Sequence, residues 1–320
     1  MPKELLILRH GKSDWNSHGS DFDRPLKNRG KRGAQRVGAW LWQQDLRPDI
    51  IISSPAERAI TTAHKCCKAM GFGVNKVMEN ESIYAASRAE LLSVLASVDG
   101  LYDRIMLVGH NPGLEDLLSF LASSVPLPRD GKLLPTATLA YLNMPNNWQT
   151  LEYACATLDQ IVRGRDLPHG FHYPAPAGDE IRERPAYYYT QSAVIPYRLD
   201  SGRFEFLLIG SSKKQRWVVP KGIKEPGLTA QQSAAKEAWE EAGIRGEVND
   251  QLLGQYLVQK WGAQCKVDVY AMRVTEVVDE HQWKESHRTR RWMDPDQAIK
   301  CLEQPELGAM LSKLSILLQD

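Results

Sequence analysis

The chain lacks the features that would mark it for a membrane, an oxidising compartment or a nucleic-acid polymer. Five cysteines (Cys66, Cys67, Cys155, Cys265 and Cys301) form no CxxC pair, and their odd number closes no disulfide framework, so reduced, buried thiols are expected. The longest apolar runs, such as Leu5 to Leu8 and Ile105 to Val108, fall far short of the roughly 20 residues that span a bilayer. Forty Lys and Arg against 39 Asp and Glu leave a net charge of +1, without the basic excess that grips phosphate backbones or anionic lipid. Met1 to Glu4 show no signal-peptide pattern and run straight into an apolar strand. The expectation is a cytoplasmic protein with neither a membrane nor a nucleic-acid partner. With 42% hydrophobic and 25% charged residues the chain is ordinary for a globular protein. Its 320 residues exceed what one core usually organises, which predicts two domains.

The two halves differ in pattern. Over residues 1–165, the apolar runs at Leu5 to Leu8, Ile50 to Ile52, Ile105 to Val108 and Leu139 to Leu142 alternate with helical patterns at 29–44, 56–70, 88–98 and 113–122. That alternation predicts βα units around a largely parallel sheet. Residues 166–187 open on a stretch with three prolines, two glycines and no periodicity, and read as a linker or surface arm. From 188 to 320, strand patterns at Gln191 to Arg198, Phe204 to Ile209, Arg216 to Pro220, Leu252 to Val258 and Val267 to Val274 surround one helix at 230–242. A late helical region starts at Pro295. This second half fits an α+β or sandwich-like domain.

Three predicted strands in the first half end on groups suited to phosphate chemistry. Arg9 and His10 follow the first strand, Arg58 lies just beyond the second, and His110 follows the strand Ile105 to Val108. Ligands of parallel α/β sheets collect at carboxyl strand ends. An imidazole there attacks phosphorus, and arginine forks neutralise the equatorial oxygens. The runs Leu8 to Gly11, Ser53 to Ala63 and Val108 to Pro112 resemble the histidine phosphatase superfamily, in particular its SixA-like branch. The resemblance implies a three-layer α/β domain with His10 as the phosphate-accepting nucleophile. It also implies Arg9, Arg58 and His110 as the phosphate pocket, with no cofactor there. Larger members carry a carboxylic acid that protonates the leaving group. Glu81 and Glu90 lie in that region without matching a motif, and its absence favours a good leaving group such as phosphohistidine.

In the second half, Thr229 and Gln232 form a capping-box signature for a helix that ends at Gly243. Spacings of three and four put Glu237, Glu240 and Glu241 on one face, near the negative end of the dipole. A hard divalent cation removes that penalty. Gly222 and Lys236 to Ile244 resemble the Nudix box at Gly222, Glu237, Glu240, Glu241 and Gly243. Leu228 and Lys236 replace a Glu and an Arg that usually pair in the family. The resemblance implies an α/β/α sandwich and Mg²⁺ held by Glu237, Glu240 and Glu241, with Mn²⁺ as a substitute. The activity implied is cleavage of a diphosphate linked to another group. The general base stays open among Glu241, Glu276, Glu280 and Glu285. Trp217 to Gly222, with Lys221 as a substrate contact, resembles subfamilies acting on dinucleoside polyphosphates and diphosphoinositol polyphosphates. Arg288, Arg290 and Arg291 add cations suited to many phosphates, and Trp261 and Trp292 offer rings for base stacking.

The pairing implies a bifunctional phosphohydrolase acting on a small phosphorylated substrate, either an inositol pyrophosphate or a nucleotide such as an oxidised nucleoside triphosphate. The alternative is a protein phosphohistidine phosphatase regulated by a nucleotide-binding Nudix domain.

Overall fold

A computed structural model describes residues 3–126, 128, 130–175, 178–211, 216–279 and 282–319. The chain divides into two compact units, Met1–Phe171 and His172–Asp320.

The first unit runs β1 (Lys3–Arg9), α1 (Asn28–Gln43), β2 (Ile50–Ser53), α2 (Glu57–Ala69), β3 (Val77–Glu79), α3 (Arg88–Ala96), β4 (Arg104–Gly109), α4 (Gly113–Leu121), β5 (Thr138–Met144) and β6 (Thr157–Arg163). The sheet order is β3-β2-β4-β1-β5-β6. The first four of these strands are parallel, and β5 and β6 close the edge in antiparallel pairings. Side chains alternate along β1, so Leu5 and Ile7 join the core under α3 and α4, whereas Leu6 and Leu8 join the one under α1 and α2. Both faces are thus covered, and the unit is the expected three-layer α/β domain. Close approach of the two helices on one face needs Gly38, where a Cβ would overlap the Cys66 carbonyl.

The second unit holds β8 (Gly178–Arg182), β9 (Thr190–Asp200), β10 (Arg203–Gly210), β11 (Trp217–Val218), β12 (Lys221–Ile223), α5 (Ala230–Ala242), β13 (Ile244–Lys260), β14 (Ala263–Val277), β15 (Arg290–Met293), α6 (Pro295–Cys301) and α7 (Pro305–Leu317). A preceding strand, β7 (Phe171–Ala175), crosses the boundary and pairs with β8 alone. Residues 166–187, expected as a linker or arm, therefore contain a two-stranded sheet. Its anchor is Arg182, stacked over Tyr173 at 3.3 Å and Tyr189 at 4.7 Å. The main sheet is ordered β11-β10-β9-β14-β13, with β12 on β9 and β15 on β10. Ala230, Ala234 and Ala238 of α5 pack on Val194, Leu207 and Tyr270, while Leu307 and Leu311 of α7 pack with Ile195, Phe206 and Val269. One helix lies on one face and two on the other, the expected α/β/α sandwich.

Candidate active sites

The register of the parallel strands levels the ends of β1, β2 and β4. Arg9 pairs with Gly109 and Ser53 with Val108, so His10, Ser54 and His110 emerge at one edge. The His10 and His110 rings lie 5.1 Å apart. His10 Nδ1 is 2.7 Å from the Gly11 carbonyl. A carbonyl only accepts, so Nδ1 carries the proton and Nε2 keeps its lone pair. The Gly11 N–H is in turn held by Thr62 Oγ1 at 2.9 Å. Burial holds His10 down to about 4, with Arg58, Arg9 and Arg24 adding to the effect against the Gly11 bond. Burial likewise holds His110 down to about 3, followed by His10 and Arg58. Both rings are neutral near pH 7. Arg9 Nε, Arg58 Nε and His110 Nδ1 are buried nitrogens without a hydrogen-bond partner among the described residues. Buried donors of this kind carry a penalty that an anion would remove.

The second cluster forms where α5 faces β12. The Glu237 carboxyl packs directly on Gly222, and a Cβ there would overlap it. Burial, then Glu241 and Glu240, push Glu237 up to about 7, and no hydrogen-bond partner for it is seen among the described residues. Glu241 is buried and accepts from the Lys221 N–H at 2.9 Å and Arg288 Nη2 at 2.7 Å. Glu240 accepts from Lys284 Nζ at 3.1 Å. Lys221, its pKa lowered by burial and then by Lys260, lines a cavity of about 370 Å³ with Arg216, Trp217 and Tyr256.

A family model for the histidine phosphatase superfamily (branch 1) matches residues 5–80, and one for the NUDIX domain matches residues 189–313. The chain is a fusion of a histidine phosphatase domain with a Nudix domain. An uncharacterized protein of Mycobacterium tuberculosis is 30% identical over 173 residues, covering 52% of this chain and 99% of its own length. Human diphosphoinositol polyphosphate phosphohydrolase 3-alpha is 35% identical over 118 residues, which is 35% of this chain and 70% of the relative. A solved Caenorhabditis elegans Ap4A hydrolase complex is 27% identical, covering 41% of this chain and 98% of its own, with a TM-score of 0.37. Both domains belong to hydrolase families acting on phosphate esters or phosphoanhydrides, and the Nudix family requires a divalent metal.

In the Nudix domain the donor set suits such a metal. Its oxygens are hard, and Glu237 is a half-buried carboxyl crowded by the like charges of Glu241 and Glu240. Among the described residues no three His, Cys, Asp or Glu side chains stand close enough to chelate a cation as they are. Lys284 and Arg288 hold Glu240 and Glu241, so binding a metal requires exchange of those ion pairs.

The arginine cluster expected to hold substrate phosphates is divided. Arg288 bridges Glu241 and Glu285. Arg290 donates to the Ala242 carbonyl at 2.9 Å and to Val278, and stacks over Trp283 at 4.3 Å, so it closes the C-terminal end of α5. Arg291 follows Arg290 on β15, points to the opposite face and is exposed. Among the candidate general bases, Glu276 pairs with Arg245 at 3.5 Å on the surface, and Glu280 lies outside the described residues. The rings considered for base stacking have protein partners, since Trp261 meets Tyr188 edge-on and Trp292 lies under Arg198.

In the phosphatase domain, Glu90 bonds the Ser87 backbone and hydroxyl in a capping box, so its carboxylate shapes a helix start. Asp21 is an addition that the sequence did not single out. Its carbonyl accepts from Arg58 Nη1 at 2.5 Å, and its carboxylate accepts from Arg58 Nη2 at 2.9 Å and Tyr84 at 3.1 Å. Arg24 pairs with the other carboxylate oxygen at 2.8 Å. Burial would raise Asp21, but Arg58, Tyr84 and Arg24 together hold it below the usual carboxylate range.

Proposed function

We propose that the protein is a bifunctional phosphohydrolase. One domain transfers phosphate through His10 to water, and the other cleaves a phosphate-rich diphosphate with Mg²⁺, for which Mn²⁺ substitutes. The phosphatase reading rests on the His10 ring, whose Nδ1–H is fixed on Gly11 while Nε2 stays free and neutral. Nε2 attacks phosphorus, the N–P bond forms, and the bond to the leaving group breaks with its electron pair. Arg9, Arg58 and His110 Nδ1–H stabilise the equatorial oxygens; the Ser54 hydroxyl, 2.9 Å from His110 Nε2, orients that ring by donating to it. Water then attacks the phosphohistidine and releases inorganic phosphate. Asp21 is ionised and bound to two arginines, so it offers no proton to a poor leaving group. A phosphoramidate such as protein phosphohistidine suits this site best.

The Nudix reading rests on the crowded Glu237 carboxyl above Gly222. Glu237, Glu240 and Glu241 would hold the cation, which when bound supplies charge neutralisation at phosphate oxygens and an activated water. Lys221 and Arg216 line the adjoining cavity and contact the phosphates, and Glu241 takes the proton of the attacking water. The human relative named for diphosphoinositol polyphosphates supports a substrate of that class.

A substrate panel assayed on wild type and His10→Ala tests the assignment. The variant loses phosphatase turnover and any acid-labile phosphoenzyme but keeps metal-dependent diphosphate cleavage. Near-normal phosphatase turnover by His10→Ala would sink the nucleophile assignment.

A further inference from the structure

The Nudix box departs from its family pattern at Leu228 and Lys236, yet the structure leaves Lys236 paired. Its Nζ is 2.8 Å from Glu225 Oε1, with side-chain exposures of 39% and 16% respectively. Glu225 lies three residues before the position where the family carries its glutamate. It is presented by a fixed turn. Pro226, and Gly227 with φ +83°, suit the two central positions of a type II turn that closes with Leu228 N–H on the Glu225 carbonyl at 3.1 Å. The Glu225 N–H donates to Ser233 Oγ of α5 at 3.1 Å, and the Lys224 N–H donates to the Thr190 carbonyl at 2.9 Å.

Lys236 precedes Glu240 by four positions, one helical turn, the spacing at which side chains of opposite charge meet. Released from Glu225, its ammonium is within reach of the Glu240 carboxylate, which Lys284 already contacts at 3.1 Å. A second lysine on Glu240 competes with a cation for the same oxygens.

We propose that Glu225 is a positioning residue of the Nudix metal site, holding the Lys236 ammonium so that it does not join Lys284 on Glu240, whose carboxylate a divalent cation must take over. This rests on the reading of α5 as the cation-binding helix.

The test is Mn²⁺ binding to the full chain, followed by electron paramagnetic resonance, with melting in EDTA to verify folding. Glu225→Gln raises the Mn²⁺ dissociation constant about five-fold, the effect of freeing one partly exposed charge. Adding Lys236→Gln removes the competitor and returns affinity to within about two-fold of wild type. A merely structural loop anchor would not be rescued in this way. Should Glu225→Gln fail to fold, Lys236→Gln alone decides: binding equal to or tighter than wild type supports the proposal, and weaker binding overturns it. Unchanged affinity in Glu225→Gln, or a double variant as weak as the single, also overturns it. Glu240→Gln separates the two levels. If it binds Mn²⁺ like wild type, the cation-helix reading fails; if it loses Mn²⁺ while Glu225→Gln does not, only the role of Glu225 fails.

Discussion

Replacing Glu237 by Gln should stabilise the metal-free protein above neutral pH and leave it unchanged in acid. Burial, with Glu241 and Glu240 behind it, raises this carboxyl from 4.5 to about 7. The folded state then holds a proton over a range in which the unfolded chain has lost it, so stability falls as pH climbs from about 4.5 to about 7. A shift of this size corresponds to about 3 kcal/mol. The side chain is partly accessible, and screening reduces the figure to roughly 1–2 kcal/mol. Gln keeps the shape without the charge, so the variant should melt about 3–6 °C higher at pH 8 in EDTA. At pH 4 the two proteins should melt together. Saturating Mg²⁺ should reverse the order, because only wild type gains from the cation. Melting curves at both pH values, with EDTA and with Mg²⁺, read all of this, and phosphate release gives the loss of diphosphate cleavage. A gap of equal size at pH 4 and pH 8, or a lower melting point for the variant at pH 8 in EDTA, would refute the reasoning. Glu240→Gln and Glu241→Gln should give no such gain, since they give up Lys284 and Arg288.

Gly222→Ala should abolish metal-dependent cleavage while sparing phosphatase turnover, because the added Cβ overlaps the Glu237 carboxyl; full Nudix activity in that variant would contradict the packing. Arg290→Gln should destabilise the Nudix domain by roughly 1–3 kcal/mol through lost bonds to Ala242 and Val278, with Arg291→Gln within about 0.5 kcal/mol of wild type in urea melts. Imidazole resonances of His10 and His110 should titrate near pH 4 and pH 3, and midpoints near 6.5 would show the pocket to be wetter than its geometry implies. The stability linked to these neutral rings is complete above about pH 6.5 and is lost as pH falls toward those values.

The phosphatase residues were legible because His10, Arg58 and His110 each follow an apolar run, and a strand end is a position that sequence can mark. Asp21 was not, because its role depends on a loop folding back onto Arg58, and no periodicity encodes that return. Among the strands, β3 has three residues and β6 mixes exposed and half-buried positions with one buried residue, so neither shows an apolar run. The prolines in and beside β7 hid its pairing, and register shifts near Gly246, Leu252 and Gly254 break the two-residue period of β13. Helical spacing found Glu237, Glu240 and Glu241. Their partners Lys284 and Arg288, and Glu225 as the partner of Lys236, sit outside the helix, where spacing says nothing. Arg290 and Arg291 read as one cluster only while β15 went unrecognised, since neighbours on a strand must face opposite ways.

The parallel register that levels the ends of β1, β2 and β4 also decides when the phosphatase can exist. Leu5 pairs with Ile105 and Leu8 with Val108, contacts about a hundred positions apart, and nothing local brings His10 to His110. Contacts at such separation carry the entropy of a long loop, so the His10 pocket forms only as the sheet closes. The Nudix carboxylates share one helix and meet Gly222 only fifteen positions from Glu237. Fewer distant contacts stand behind the Nudix carboxylates, although Arg288 reaches Glu241 from 47 positions away.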